Sequence, residues 1–289
     1  MTRRRLAFGI LTLGLTAGLA AAPQRIISIA PSVTEILYGL GAFDRVVAVS
    51  DYCTYPPAVK SLPRVGGWRT PNLERLAALR PDLVVMTDAQ APFIQDQLQQ
   101  LGIRTLVTPS QTVGDALNAM EAIGRAAGKE REAKTLAEAT KSALDRVRNR
   151  ARNLPHPTVL CVVDRTPGTL RDLYAATRGS FLAELIEIAG GRVIAAPAHA
   201  GYAKISKEAV LTHNPDVIID LVHGTKGKLA EELAAVWRDL PELKAVRTGR
   251  VYPVRADFVP HASQRIAETV ILFARLLHPQ VPAREWEKK

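Results

Sequence analysis

The chain has 289 residues, 47% of them hydrophobic, which supplies about two packed domains and excludes a disordered or collagen-like polypeptide. Lysine and arginine outnumber the acids by 38 to 28, a formal charge of +10. Two cysteines, Cys53 and Cys161, stand far apart with no C-x-x-C spacing, so neither a disulfide framework nor a cysteine zinc site can be built from them.

Arg3, Arg4 and Arg5 precede an uncharged run, 6–22, that ends in Ala20-Ala21-Ala22. The run is short for a membrane span and carries an A-x-A type cleavage site, so residues 1–22 read as a secretory signal peptide. Thr2-Arg3-Arg4-Arg5-Leu6 leaves general and twin-arginine export open, and no cysteine near the cleavage region could take a lipid. The mature protein is therefore expected in the periplasm, with a formal charge of +7 once three arginines are removed. Between Lys129 and Arg152, eight Lys or Arg stand against four acids with no aromatic residue among them. That composition reads as a solvated helix face, and no nucleic-acid partner is expected.

Residues 25–30 form an apolar, β-rich run followed by Pro31 and Ser32-Val-Thr-Glu35. The S-x-x-E spacing predicts a capping box that opens a helix carrying Ile36, Leu37 and Leu40. Strand-like runs recur at 46–50, 83–87 and 104–108, with helical patterns at 73–80, 94–101 and 113–127. Strand and helix in alternation imply a parallel sheet flanked by helices. From Lys129 neither Gly nor Pro appears until Pro155, and apolar residues recur at helical spacing. One helix of about 36 Å can join two lobes. Strand candidates then return at 158–164, 192–195, 217–221 and 251–254, with helical stretches near 179–189, 206–213 and 228–238.

An internal repeat crosses that helix. Asn72-Leu-Glu74 through Pro81-Asp82-Leu-Val matches Ser206-Lys-Glu208 through Pro215-Asp216-Val-Ile, every landmark offset by 134. Each copy places a capping residue, a glutamate two positions on, an amphipathic helix and a Pro-Asp turn into a buried strand. The expected fold is α/β, two Rossmann-like lobes (23–128 and 154–289) joined by a single long helix (129–153), with a ligand cleft between them.

Enzyme signatures are missing. There is no G-x-S-x-G elbow and no H-E-x-x-H zinc helix, and Val222-His-Gly224-Thr-Lys-Gly-Lys228 lacks the leading glycine and the Ser or Thr of a P-loop. A periplasmic enzyme would have to use Asp257 and His261 as an acid–base pair; a non-enzyme is the expectation. Of fifteen aromatic residues, Tyr52, Tyr55 and Trp68 cluster in two loop-like segments near the cleft mouth. Tyr202 precedes the second repeat helix, and Asp257-Phe258 follows the last strand. Flat rings from opposing lobes could stack on both faces of a large ring system.

Taken together, residues 25–35, Tyr55-Pro-Pro57, Asn72-Leu-Glu74, Arg80-Pro-Asp-Leu-Val84, Gly179-Ser-Phe181 with Gly190-Gly191, and Ile205-Ser-Lys-Glu208 resemble the periplasmic cobalamin-binding proteins of ABC importers. These belong to the helical-backbone class (class III) of substrate-binding proteins, whose other members carry ferric siderophores and haem. The resemblance implies capture of cobalamin or a related corrinoid as transported ligand, with no cofactor or metal site expected; a monomer is expected because both broad lobe faces must stay free for docking. It maps ligand contacts onto Tyr52 and Trp68, and onto Tyr202 where the enterobacterial form has tryptophan. Asp257 and Phe258 keep an acid–aromatic pair, His261 stands where an arginine is expected, and Thr87 lies near the place of a second cleft tryptophan. A haem carrier of the same fold would take Tyr202, His199 or His261 as axial ligand, and a siderophore carrier would want arginines in the cleft. Glu74 and Glu208, one per lobe, correspond to glutamates that pair with arginines of the membrane permease.

Overall fold

The computed structural model describes residues 21–194, 201–221 and 233–288. The signal segment up to residue 20, His199 and the 222–228 segment lie outside the described residues, and so does part of the helical stretch read at 228–238. The first lobe runs β1 (Ile26–Ser28), α1 (Pro31–Gly39), β2 (Val46–Val49), α2 (Leu73–Ala78), β3 (Leu83–Thr87), α3 (Ala91–Gln100), β4 (Thr105–Thr108) and α4 (Val113–Ala127). Its sheet is parallel throughout, in the order β2-β1-β3-β4. Successive strand side chains point to opposite faces. Ile26, Leu83 and Val85 therefore pack under α1 and α4, while Ile27, Val84 and Met86 pack against Leu76 of α2 and Ile94 and Leu98 of α3.

After α5 (Glu130–Ala151) come β5 (Thr158–Asp164), β6 (Tyr174–Ala176), α6 (Phe181–Ile188), β7 (Arg192–Val193), β8 (Tyr202–Lys204), α7 (Lys207–His213) and β9 (Val217–Leu221). The chain closes with α8 (Leu233–Val236), α9 (Lys244–Arg247), β10 (Val251–Val254) and α10 (Ile266–Leu277). The second sheet has the order β10-β9-β5-β6-β8, and β7 pairs with the start of β5. It is parallel from β10 to β5, but β6 lies antiparallel to both β5 and β8. This antiparallel extension and α10 go beyond the alternation read from the sequence. α10 inserts Ile266, Val270, Phe273, Ala274 and Leu277 into the second core.

α5 is the shared element. Its 22 residues span about 33 Å. Ala133 and Ala137 belong to the first lobe's core, and Leu144, Val147 and Ala151 to the second's. It doubles back on α4 through Gly128, whose φ of 64° closes α4 in the left-handed conformation. The hairpin is tight at Gly124, where an added Cβ would stand 2.3 Å from that of Ala133.

The repeat is visible in detail. Asn72 and Ser206 accept from the backbone N–H three residues on, at 2.9 and 3.2 Å, capping α2 and α7. Arg80 and Asn214 both turn the chain with positive φ, 45° and 42°. Asp82 then accepts from the N–H groups of Gln24 and Arg25 at 2.6 and 3.0 Å, just before β1. Asp216 accepts from the N–H and hydroxyl of Thr158, both at 2.8 Å, at the first residue of β5. Each aspartate thus ties the foot of its own strand to the foot of the neighbouring central strand. The capping box expected at Ser32 and Glu35 does not form: α1 begins at Pro31, and its N-cap, Ala30, offers no side-chain acceptor. The box appears instead at α4, between Thr112 and Asp115.

Partial burial pushes the Asp216 carboxyl up, but the bonds from Lys244 and Thr158 outweigh it and bring its pKa down from 3.8 to about 2. A carboxyl depressed in the folded state stabilises the fold above its unfolded pKa, and this contribution fades as pH falls from about 4 towards 2. Thermal melting between pH 6 and pH 2 is therefore expected to show Asp216→Asn less stable than wild type at pH 6, with the gap closing at the acid end.

Candidate ligand-binding cleft

A cavity of about 670 Å³ opens between the lobes, within the range of small-molecule sites. It lies where both sheets end. Ala30, Pro31 and Ser32 follow β1, Tyr52 follows β2, Thr87 closes β3 and Ser110 follows β4. From the other side come Val163 and Asp164 at the end of β5, and Pro260, His261 and Ala262 after β10. Crevices beyond the carboxyl ends of parallel strands are where open α/β sheets bind ligands.

Aromatic rings stand on both sides. Tyr52 is 57% exposed and Trp68 38%, so both present their faces at the rim. The Tyr52 loop is pinned from behind by Arg64, which donates to the carbonyls of Ser50 and Cys53 at 2.8 and 2.7 Å. Trp68 leans on Phe93, with ring centroids 5.9 Å apart. Opposite them, Tyr174 and Tyr202 stack at 6.4 Å with planes 15° apart. They are diagonal neighbours across β6 and β8, since Tyr174 pairs with Lys204 two residues along. Burial pushes the Tyr202 phenol well above its ordinary pKa, with Ser180 opposing weakly, so it stays a neutral ring. Phe181 lines the inner wall, and its N–H donates to the carbonyl of Gln111 at 2.6 Å, joining α6 to the segment before α4.

One flank is closed by a polar cluster. Glu35 of α1 is 1% exposed and is reached entirely by second-lobe groups. His261 Nδ1 lies 2.8 Å from Oε1, the Ser263 hydroxyl donates to Oε2, Arg265 Nη1 is 3.4 Å from Oε1, and Gln264 donates to the Glu35 carbonyl at 2.8 Å. The Arg265 guanidinium sits between the rings of Tyr55 and Phe258, 4.5 Å from each centroid, and makes a paired contact with Glu268 at 3.0 and 3.1 Å. Asp257 accepts from the Thr54 hydroxyl at 2.8 Å and faces Arg265 at 3.8 Å.

Of the residues singled out in the sequence, Tyr52, Trp68, Tyr202 and His261 share the cavity wall, and so does Thr87. Asp257 and Phe258 are not in that wall; they bracket Arg265 and serve the contact between lobes. Asp257 and His261 do not pair as an acid–base couple, because each is engaged by a different first-lobe partner, Thr54 and Glu35. Cys53 and Cys161 are both free and buried. Burial raises both thiols, Cys161 to about 12, which leaves them protonated. Among the described residues no cluster of His, Cys, Asp and Glu could hold a metal by itself. Glu74 and Glu208 are exposed in the first turns of α2 and α7. Sequence reading missed Tyr174, Glu35 and Arg265. Tyr174 lies in a three-residue strand too short for a period-2 signal, and Glu35 and Arg265 are joined only by the fold.

A family model described as periplasmic binding protein matches residues 26–258, and the chain belongs to that family. It is a family of substrate-binding proteins, not enzymes, and the chain is of the ABC importer type. An uncharacterised ABC transporter substrate-binding lipoprotein of Bacillus subtilis (strain 168), YvrC, is 32% identical over 264 residues, covering 89% of this chain and 81% of the relative. A vitamin B12-binding protein of Yersinia pestis (strain Pestoides F) is 32% identical over 267 residues, covering 90% and 88%. The crystal structure of a periplasmic haem-binding protein from Pseudomonas aeruginosa superposes with a TM-score of 0.79 at 24% identity, over 90% of this chain and 94% of that one.

Removing Arg265 would strand the Glu35 carboxylate with fewer donors and part the rings of Tyr55 and Phe258. Arg265→Ala is expected to cost about 3 kcal/mol, as for a broken buried pair, whereas Asp257→Ala, at an exposed position, should cost at most about 1 kcal/mol. Chemical denaturation of the two variants checks the ranking.

Proposed function

We propose that this protein captures cobalamin or a related corrinoid outside the cytoplasmic membrane and hands it to an ABC importer. The observation that carries this reading is the cavity lined by aromatic rings from both lobes, Tyr52 and Trp68 against Tyr174 and Tyr202. Such an arrangement suits a broad, largely apolar ring whose edges meet a few polar groups such as Ser32, Ser110 and Asp164. The likeness to a vitamin B12-binding protein supports the same ligand. Haem is the second reading, favoured by an imidazole and three phenols in the wall of one cavity and by the likeness to a haem-binding fold. In this reading residues 1–22 export the chain, and 23–128 and 154–289 act as two lobes on the 129–153 helix, working as a monomer. With α5 set into both cores, binding involves limited closure around a preformed cleft.

Titration of the purified protein with cyanocobalamin, haemin and ferric hydroxamates, followed by visible absorbance and calorimetry, tests the ligand. Tight binding of cobalamin is expected; silence towards it alongside tight binding of another of these would reassign the cargo. Trp68→Ala is expected to weaken binding by about 2 kcal/mol, roughly thirtyfold in Kd, and equal affinity would remove Trp68 from the site.

Delivery rests on the repeat. Glu74 and Glu208 stand exposed at equivalent places on the two lobes, and a bond from its own backbone N–H, aided by Ser206, holds the Glu208 carboxyl below its ordinary pKa. Two such anions suit cationic side chains on a two-subunit permease. The Glu74→Ala, Glu208→Ala double variant is expected to bind ligand normally and fail in uptake by cells; undiminished uptake would refute the docking role.

A further inference from the structure

The chain carries 38 lysines and arginines, yet among the described residues none lines the cavity, and the one carboxylate in its wall belongs to Asp164. A strand irregularity puts it there. Successive strand residues face opposite sides, but Val163 and Asp164 at the end of β5 both line the cavity, because the pairing with β6 slips between Val162 and Asp164. Val162 pairs with Ala175 and Asp164 with Tyr174, so two steps along β5 match one along β6, the kind of bulge that re-aims a side chain. Asp164 thereby stands directly across from Tyr174, beside the Tyr174–Tyr202 stack. No described cation neutralises it. Its neighbour Arg165 is drawn into the lobe, where it bonds Asp220 at 3.0 Å and the Thr169 carbonyl at 3.1 Å. Arg265 is taken up by Glu35, Asp257 and Glu268, and Arg69, next to Trp68, lies over the Phe93 ring at 5.0 Å. Asp164 itself is exposed, accepts one hydrogen bond, from the Arg165 N–H at 2.9 Å on Oδ1, and makes no ion pair with any described residue.

We propose that Asp164 sorts the rings that enter the cleft by their edges: it takes rings fringed with carboxamides, from whose N–H groups it accepts, and rejects rings fringed with carboxylates. This inference rests on the ring-binding reading above and names the edge chemistry of its cargo. An amide N–H on a carboxylate makes a charge-assisted bond, stronger than its neutral counterpart. A ligand carboxylate brought to the same place meets like charge, and no described cation in the wall offsets it. Amide and carboxylate are nearly the same size, so shape alone would not part them; an unpaired charge does. The apolar faces of both kinds of ring stack alike on Tyr174 and Tyr202, which leaves the sorting to the edge. Amidated corrinoids fall in the accepted class, and haem, with its propionates, in the rejected one.

The test titrates the full protein by calorimetry, at neutral pH, with dicyanocobinamide, whose edges are amides, and dicyanocobyrinic acid, the same corrin ring edged with carboxylates. Wild type is expected to bind cobinamide about tenfold more tightly than the acid, and the ratio is expected to shrink as salt is raised, because the repulsion acts at an exposed charge. In Asp164→Asn the acid should bind about fivefold more tightly than it does to wild type and cobinamide about twofold more weakly, so that the preference disappears. The wild-type ratio and its salt dependence stand even if the variant fails to fold. Equal affinity of wild type for the two rings, or a preference unchanged in Asp164→Asn, overturns the sorting role and leaves the ring-binding reading intact. Tight binding of haemin with neither corrinoid bound overturns it too and reassigns the cargo. Failure of all three to bind brings down the ring-binding reading itself.

Discussion

The two lobes are held in register by one buried charge. Glu35 belongs to a helix of the first lobe, yet its carboxylate is held by a histidine, a serine and an arginine of the second. A carboxylate taken out of water is costly unless it keeps its donors, and removing them separately is worse than never having buried it. Separating the lobes at this flank would strip all of them at once. The same movement would pull Arg265 from between Tyr55 and Phe258 and break the Thr54–Asp257 bond. On the other flank α5 contributes to both cores, so sliding one lobe past the other would expose apolar surface. The cleft lies between these two restraints, which together set its width.

The position of the cavity follows from the parallel sheets. Strands that all run the same way leave their loops at one end, and here the carboxyl ends of both sheets face the gap. Side chains with no room in a core collect there: Tyr52 and Trp68 from a long loop pinned by Arg64, and Tyr174 from a short strand next to the sheet edge. In the proposed ring-binding reading, rings anchored in this way would lose little conformational freedom on stacking against a ligand, because most of the cost of ordering is met during folding.

Much of this architecture is legible in the sequence because it is written locally. Apolar runs mark β1 to β5, β9 and β10, the stretch from Lys129 without Gly or Pro marks α5, and the offset of 134 marks the paired helices. The failures have physical causes. β6 and β8 have three residues each, too few for a two-residue period to stand out, and with them Tyr174 went unread. α10 carries a helical period in Ile266, Val270, Phe273 and Leu277, but it follows the last strand and so lies outside the strand–helix alternation. Ser32 and Glu35 have capping-box spacing, but Pro31 already starts the helix and the partners of Glu35 lie 226 to 230 residues away. Asp257 and His261 look like a pair at four residues' separation because sequence proximity hides the opposite lobe that engages each of them.

The duplication shows which parts of the molecule are scaffold and which are free to specialise. Where the halves agree, they agree in framework: a capped helix, a left-handed residue before proline, and an aspartate tying the foot of one strand to the next. None of these touches the cavity. Where the halves differ, the cavity is built. The first lobe inserts the 51–71 loop with Tyr52 and Trp68, while the second turns β6 antiparallel and so sets Tyr174 beside Tyr202. The second lobe also carries the 255–265 segment, with His261 facing the gap and Arg265 locking the flank. In the proposed docking role, exposed Glu74 and Glu208 would stay equivalent because a partner with two similar halves imposes the same demand on each lobe. A ring lying between the lobes presents a different face to each, and the walls that meet those faces have no reason to match.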